Sequence, residues 1–165
     1  MSKYSINFTD KTDNKMSNTF LLYHIVFRTK NSVPTIIATS EEILYRYIWR
    51  FTEEQKGILY AIGGMADHIH MLVRLPATVP LSDFMRGVKT ATSKFAVQHP
   101  SLFPTFDGWA KGYFCETYSH TQADVVRRYI KGQKEHHLKT SFYEELRKLY
   151  ADCGLDITPY FMQQE

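Results

Sequence analysis

Cysteine is scarce in this chain of 165 residues: Cys115 and Cys153 are the only two, far apart and with no CxxC. That count argues against a disulfide framework and against a cysteine-built zinc site, and it points to a reducing compartment. No run of eighteen apolar residues occurs, so no membrane span is expected. The N-terminal MSKYSINFTDKTDNK has no apolar core of its own, so no secretory signal is expected and a cytoplasmic protein is. Strong charge is missing as well. The net charge is +3 and the isoelectric point about 8.8, which permits a nucleic-acid partner without demanding one, whereas a non-specific DNA coat would be more basic. There is no internal repeat. What the chain does have is apolar material, 44% hydrophobic and 15% aromatic residues against 22% charged, enough for one domain with a sizeable core and too much for a disordered chain.

Residues 1–15 are polar and form an N-terminal extension. TFLLYHIVFRT (19–29) is aromatic and β-branched and reads as a long strand, followed by the turn KNSVP. Residues 40–53 place Ile43, Leu44, Tyr47 and Ile48 at helical spacing behind a Ser40 N-cap. Residues 57–66 and 68–75 read as two strands with Asp67 at the turn between them. Residues 81–98 form a second helix with Phe84, Val88 and Phe95 on its buried side, 99–111 a loop, and 112–118 a fourth strand. A third long helix is expected over 121–138, opened by Ser119 or Thr121, and a last one over 141–152. The order βαββαβα predicts an α+β protein: a ferredoxin-like split βαβ sandwich with one antiparallel sheet, helices on one face, and a C-terminal helical extension. The expected division is 1–15 extension, 16–140 domain, and 141–165 C-terminal helix and tail.

His68 and His70 are two apart on a predicted strand and leave the same face, their Cβ atoms about 6–7 Å apart. Two such imidazoles can converge on one cation. Imidazole suits Zn²⁺ or Mn²⁺, and with glutamine or water completing the shell, Mg²⁺ or Mn²⁺ could bind a phosphate oxygen. Asp67 is placed to order a ring nitrogen from behind. The competing account is a pair of half-exposed histidines on a sheet surface. On the 121–138 helix, Gln133 lies about 40° to one side of Tyr129 and His136 about 20° to the other, so all three share a face, while Val126 and Ile130 dock the helix. A phenol attacks phosphate well only when a cation polarises the phosphoryl group. Against this stands the ordinary amphipathic-helix tyrosine, one of 11 in the chain. Gly132 marks either a close approach to DNA or to a partner chain, or a tolerated weak point in the helix.

The stretches HIVFRTK (24–30), GGMADHIHMLVRL (63–75), FMRGVKTATSKF (84–95), WAKGYFCETYS (109–119) and VVRRYIKGQ (125–133) occur in order. Together they make the chain resemble the single-tyrosine HUH transposases of the insertion-sequence 200-like group and their relatives, the REP-associated tyrosine transposases. The resemblance covers about residues 18–137. It departs from the family pattern at Asn31, Ser32 and Val33, and at the ETYSHT turn. It implies a ferredoxin-like fold, often dimeric, acting on single-stranded DNA at imperfect hairpins. It implies a divalent cation, Mg or Mn, held by His68, His70 and the Gln133 amide, with His136 as the fallback ligand. It implies Tyr129 as the nucleophile, giving a 5′-phosphotyrosine and a free 3′-OH, and a tyrosine helix supplied in cis or by a partner subunit. The other readings are a domesticated HUH nuclease acting on repeat hairpins, and a non-catalytic nucleic-acid-binding module on the same fold.

Arg28, Lys30, Arg86, Lys89, Lys94 and Lys111 are the candidate DNA-binding cations, interleaved with Tyr113 and Phe114 for base stacking. A scattered solvated set is the alternative for each of them. His24 reads as a satisfied sheet histidine rather than a ligand, and Cys115 as a small buried hydrophobe.

Overall fold

A computed structural model describes residues 18–159, so the polar extension 1–15 lies outside the described residues. The order is β1 (Leu21–Arg28), α1 (Ala38–Glu54), β2 (Ile58–Gly64), β3 (His68–Leu75), α2 (Leu81–Gln98), β4 (Phe114–Tyr118), α3 (Ala123–Lys131), α4 (Gln133–His136) and α5 (Phe142–Asp152), with 3-10 turns at Lys30–Ser32 and His120–Gln122. The sheet runs β2-β3-β1-β4, and every neighbouring pair is antiparallel. β1 and β2 therefore run the same way with β3 between them, which is the split βαβ arrangement.

Alternation along the strands decides which helix covers which face. Ile25, Phe27, Ile69, Met71 and Val73 point one way and pack against Leu44 and Ile48 of α1 and Phe84, Met85 and Val88 of α2. Those are the two helices of the βαββαβ unit, and they share one face as expected. The other face carries Leu22, Val26 and Leu72. There Ala123, Val126 and Ile130 of α3 form one cluster, and Leu146 of α5 joins Val26 and Phe114 in another. Each such side chain contributes about 1.5–3 kcal/mol when fully buried. His68 and His70 alternate onto this second face, under α3 and α5, and are 0% exposed. The account of two half-exposed surface histidines is thereby overturned.

Two helix boundaries differ from the sequence reading. α1 starts at Ala38 with Ile37 as its N-cap, and Ser40 lies inside the first turn, donating to the Ile37 carbonyl at 3.1 Å. The preceding segment is already pinned, because the amides of Thr35 and Ile36 donate to the Ala66 carbonyl at 2.9 Å, and this sets the helix start earlier. The continuous helix over 121–138 is also broken. Ser119 and Gln122 form a capping box around the 3-10 turn. α3 then ends at Gly132, which has φ −87° and ψ 8°. α5 opens as the sequence suggests, on a capping box between Ser141 and Glu144.

α3 sits unusually close to the sheet. A Cβ built on Gly63 would lie 2.5 Å from the carbonyl oxygen of Ile130, so only glycine allows this approach. The contact fixes the height of α3, and hence of Tyr129, above β2 and β3.

Candidate active site

β3 delivers the two imidazoles, and each is held from behind through Nδ1. Asp67 Oδ1 lies 2.7 Å from His68 Nδ1, and the Asp67 carbonyl accepts from the Thr29 amide at 2.8 Å. Burial pushes the Asp67 carboxyl up, but its hydrogen bond to His68, the His68 charge, a backbone hydrogen bond and His137 together outweigh this and hold it below its ordinary value. His70 Nδ1 lies 3.0 Å from His24 Nε2 on the neighbouring strand β1. Burial, and then the neighbouring His70, push the His24 imidazole down to about 3, so His24 stays neutral near pH 7 and its Nε2 can accept the His70 Nδ1 proton. Phe142 stacks on His68, the ring centroids 3.9 Å apart at 13°. These contacts turn both Nε2 atoms inward, where they are buried and make no hydrogen bond.

Facing them is a residue the sequence reading passed over. Glu145 of α5 is 4% exposed and divides its two oxygens between two sets of groups. Oε2 lies 3.0 Å from His137 Nε2, 3.5 Å from His70 Nε2 and 3.9 Å from His68 Nε2. Oε1 accepts the Tyr129 hydroxyl and the Gln133 amide at 2.9 Å, and lies 3.7 Å from His136 Nε2. Burial alone pushes the Glu145 carboxyl up, but His70, Tyr129 and Gln133 outweigh it and hold the group well below the usual carboxylate range. Burial, and then the carboxylate beside it, push the Tyr129 phenol well above its ordinary value. Burial lowers His70 and His137, with the Glu145 charge opposing.

The structure thus gathers Tyr129, Gln133, His136, His68 and His70 around one carboxylate, with Asp67 behind His68. The gathering happens in cis: the Tyr129 ring centroid is 6.0 Å from that of His70 of the same chain. His68, His70, His137 and Glu145 offer donor atoms within 4.8 Å of one another. Gln133 Oε1 is buried without a hydrogen bond and is a further candidate donor. His136, the fallback ligand, is not among those four; its neighbour His137 is. A signal for Glu145 was present in the sequence. Phe142, Glu145, Leu146 and Leu149 recur at i, i+3, i+4 and i+7, so the acid stands where the apolar stripe of α5 faces the core.

The candidate DNA-binding cations scatter. Arg28 pairs across the sheet with His68 and so shares the imidazole face, where it is buried and donates to Ser32 Oγ at 3.3 Å. Lys30 pairs with Asp107 at 2.9 Å. Arg86, Lys89 and Lys94 all lie on α2, across the sheet from the imidazoles, where Arg86 pairs with Asp83 at 2.6 Å and Lys94 is exposed. Lys89 Nζ donates to the carbonyls of Ala110, Lys111 and Gly112 at 2.7, 3.0 and 2.8 Å. It ties down the loop before β4, a role that neither a phosphate contact nor a solvated lysine describes. Lys111 itself is exposed. Phe114 is buried against Tyr150, with ring centroids 5.0 Å apart, and cannot stack on a base while α5 is docked.

The family described as "Transposase IS200 like" matches residues 17–133. The transposases for insertion sequence element IS200 of Salmonella typhimurium strain LT2 and of Salmonella typhi are each 26% identical over 117 residues, covering 68% of this chain and 76% of theirs. A candidate transposase from Deinococcus radiodurans superposes with a TM-score of 0.58 at 21% identity, over 74% of this chain and 97% of that one. A REP-associated tyrosine transposase bound to a REP hairpin superposes with a TM-score of 0.53 at 12% identity, over 77% of this chain and 74% of that one. At such identities the two structural likenesses establish the shared fold.

Proposed function

This chain belongs to the IS200-like transposase family, and from that premise we propose that it is a metal-dependent nuclease and strand transferase, cutting and rejoining single-stranded DNA at hairpin ends through Tyr129. One observation carries the reading. A phenol hydroxyl, two inward-facing imidazole nitrogens and an amide converge in one buried cluster, on elements distant in sequence.

The donor set fits a divalent cation. His68 Nε2 and His70 Nε2 are buried and lack hydrogen bonds, and each ring is fixed at Nδ1, the pattern of metal-binding histidines. His68 and His70 would hold the cation, with the further donors to be found among Gln133, His137 and Glu145. When bound, it supplies Lewis-acid polarisation of the scissile phosphate and neutralises its charge. Tyr129 supplies the nucleophile. Its oxygen bonds to phosphorus, the bond from phosphorus to the 3′ oxygen breaks, and the proton lost by the phenol is balanced by the one gained on the free 3′-OH. In rejoining, a 3′-OH attacks the phosphotyrosine and the phenol is regenerated. Glu145 Oε1, already accepting the Tyr129 hydroxyl, aims the phenol. Arg28 lies beside His68, and Arg127, Arg128, Lys131 and Lys134 lie along α3 and α4, with Arg127 against Asp124 and Lys134 against Glu41; the excess positive charge of these helices suits a polyanion. A homodimer forms part of this reading, although the cis arrangement needs no partner to bring Tyr129 to the imidazoles.

The test is incubation of the purified chain with labelled single-stranded hairpin DNA and Mg²⁺ or Mn²⁺. A covalent protein–DNA species that survives denaturant is expected. It should disappear in Tyr129→Phe and with chelator, and fall about 10²–10³-fold in His68→Ala or His70→Ala, the scale of losing one preorganised electrostatic contact. An adduct persisting in Tyr129→Phe would move the nucleophile elsewhere. Hairpin binding without any adduct, indifferent to chelator, would favour a non-catalytic binding module.

A further inference from the structure

We infer that the C-terminal segment completes the metal centre: Glu145 through Oε2 and His137 through Nε2 are ligands alongside His68 and His70, while Gln133 is a positioning donor on Glu145 rather than a ligand. The inference rests on the metal-dependent reading above and deepens it. Both added residues lie beyond the family-matched segment 17–133, so nothing in the shared motifs assigns them.

The first argument is distance. In a tetrahedral site with metal–nitrogen bonds of about 2.0–2.1 Å, ligand atoms stand about 3.3–3.4 Å apart. Glu145 Oε2 stands 3.0, 3.5 and 3.9 Å from the Nε2 atoms of His137, His70 and His68. Those three distances bracket the tetrahedral edge, and since all four donor atoms lie within 4.8 Å of one another, the imidazoles need close in by no more than about 1.5 Å around a cation. The second argument is charge. A buried carboxylate costs several kcal/mol unless positive charge compensates it, and the ion-pair partners of Glu145 are the four imidazoles of His68, His70, His136 and His137. A divalent cation held against Oε2 supplies that compensation. The third argument is the orientation of Gln133. A carboxylate only accepts hydrogen bonds, so the Gln133 amide must turn its nitrogen, not its oxygen, toward Glu145. Its N–H groups then hold Oε1, the oxygen that also receives the Tyr129 hydroxyl. One carboxylate thereby links the cation on one oxygen to the nucleophile on the other.

Three imidazoles and one carboxylate suit a borderline transition ion far better than Mg²⁺, which prefers oxygen ligands in an octahedron. The probe is Co²⁺ alone, added to the metal-free full-length chain without DNA and followed by visible absorption and calorimetry. One equivalent should bind with the intense visible bands of a four-coordinate ion, and excess Mg²⁺ should not displace it. Glu145→Gln and His137→Ala should each weaken Co²⁺ by at least about tenfold and replace those bands with weak six-coordinate ones. Gln133→Ala removes a group that holds Glu145 rather than a ligand, so it should weaken Co²⁺ by about tenfold at most and leave the four-coordinate bands in place. Should Glu145→Gln fail to fold, His137→Ala carries the same test from a different element. Gln133→Ala costing as much affinity as His68→Ala, with Glu145→Gln and His137→Ala unchanged, would overturn the inference and leave the metal-dependent reading standing. No Co²⁺ binding by the unmutated chain would overturn both.

Discussion

His24 and Asp67 perform the same task with different chemistry. Each holds one imidazole by Nδ1 and frees its Nε2, but Asp67 does so as an anion at the rim and His24 as a buried neutral ring. A cost at low pH follows from the second solution. The folded-state value of His24 is depressed from 6.5 to about 3, so below pH 6.5 the unfolded chain takes up a proton that the folded chain refuses, and stability falls as pH falls. Between pH 6.5 and about 5 that loss is about 2 kcal/mol from His24 alone. His70 and His137 are also lowered and act in the same direction. Glu145 is lowered too, so its contribution persists above its unfolded value and is lost only at more acid pH. Urea unfolding of the metal-free chain across this window should show the decline, with a slope smaller by about one proton in His24→Gln, whose amide oxygen can still accept from His70. An unchanged slope would mean that His24 is not the group refusing the proton. At this scale the sequence was partly transparent. The spacing of His68 and His70, and of Tyr129 and Gln133, is local and could be read directly. Glu145 could not be placed, because its meaning depends on α5 folding back across the sheet.

The elements show the same division between local and long-range causes. α2 spans Leu81–Gln98, the run the sequence predicts, because its apolar stripe and Pro80 before it are both local signals. The break at Gly132 was legible only as a weak point. What turns it into a boundary is the set of tertiary contacts that Gln133, His136 and His137 make with Glu145 on another helix. The seat of α3 is a further long-range matter, set by the absence of a side chain at Gly63. In Gly63→Ala the new methyl would meet the Ile130 carbonyl at 2.5 Å, a backbone atom that cannot rotate away. α3 must lift, at a cost of about 1–3 kcal/mol. Thermal melting should record that cost. DNA cleavage measured well below the melting temperature should still drop, because Tyr129 rises with the helix. Full activity at a lowered melting temperature would show that the height of α3 matters to stability alone.

For the molecule as a whole, the sequence pattern pointed to one antiparallel sheet with helices on one face, but not to how completely the second face is closed. That closure comes from α3, α4 and α5 together. It leaves His68, His70, Gln133 and Glu145 nearly or wholly without solvent contact. A phosphodiester is far larger than a water molecule and carries a hydrated charge, so it cannot reach those groups through the packed face. α5 is the cover that stands over both imidazoles, with Phe142 on His68, Glu145 opposite both Nε2 atoms, and Leu146 anchored against Val26 and Phe114. If DNA is to meet Tyr129 with the imidazoles behind it, Glu145 must yield its place opposite the two Nε2 atoms to the phosphate, its ligand and aiming roles then belonging to the DNA-free state. For that, α5 must loosen while α1 and α2 on the far face stay put. Hydrogen exchange should therefore speed up at the amides of 142–152 when hairpin DNA is added to the Tyr129→Phe chain, which binds without reacting, and should not speed up in α2. Leu146→Ala removes the anchor and should cost about 2–5 kcal/mol of stability, while raising exchange in α5 even without DNA. Protection of α5 that stays the same or increases on DNA binding would mean that the strand approaches Tyr129 from its half-exposed side, and that α5 is a fixed wall of the site rather than its door.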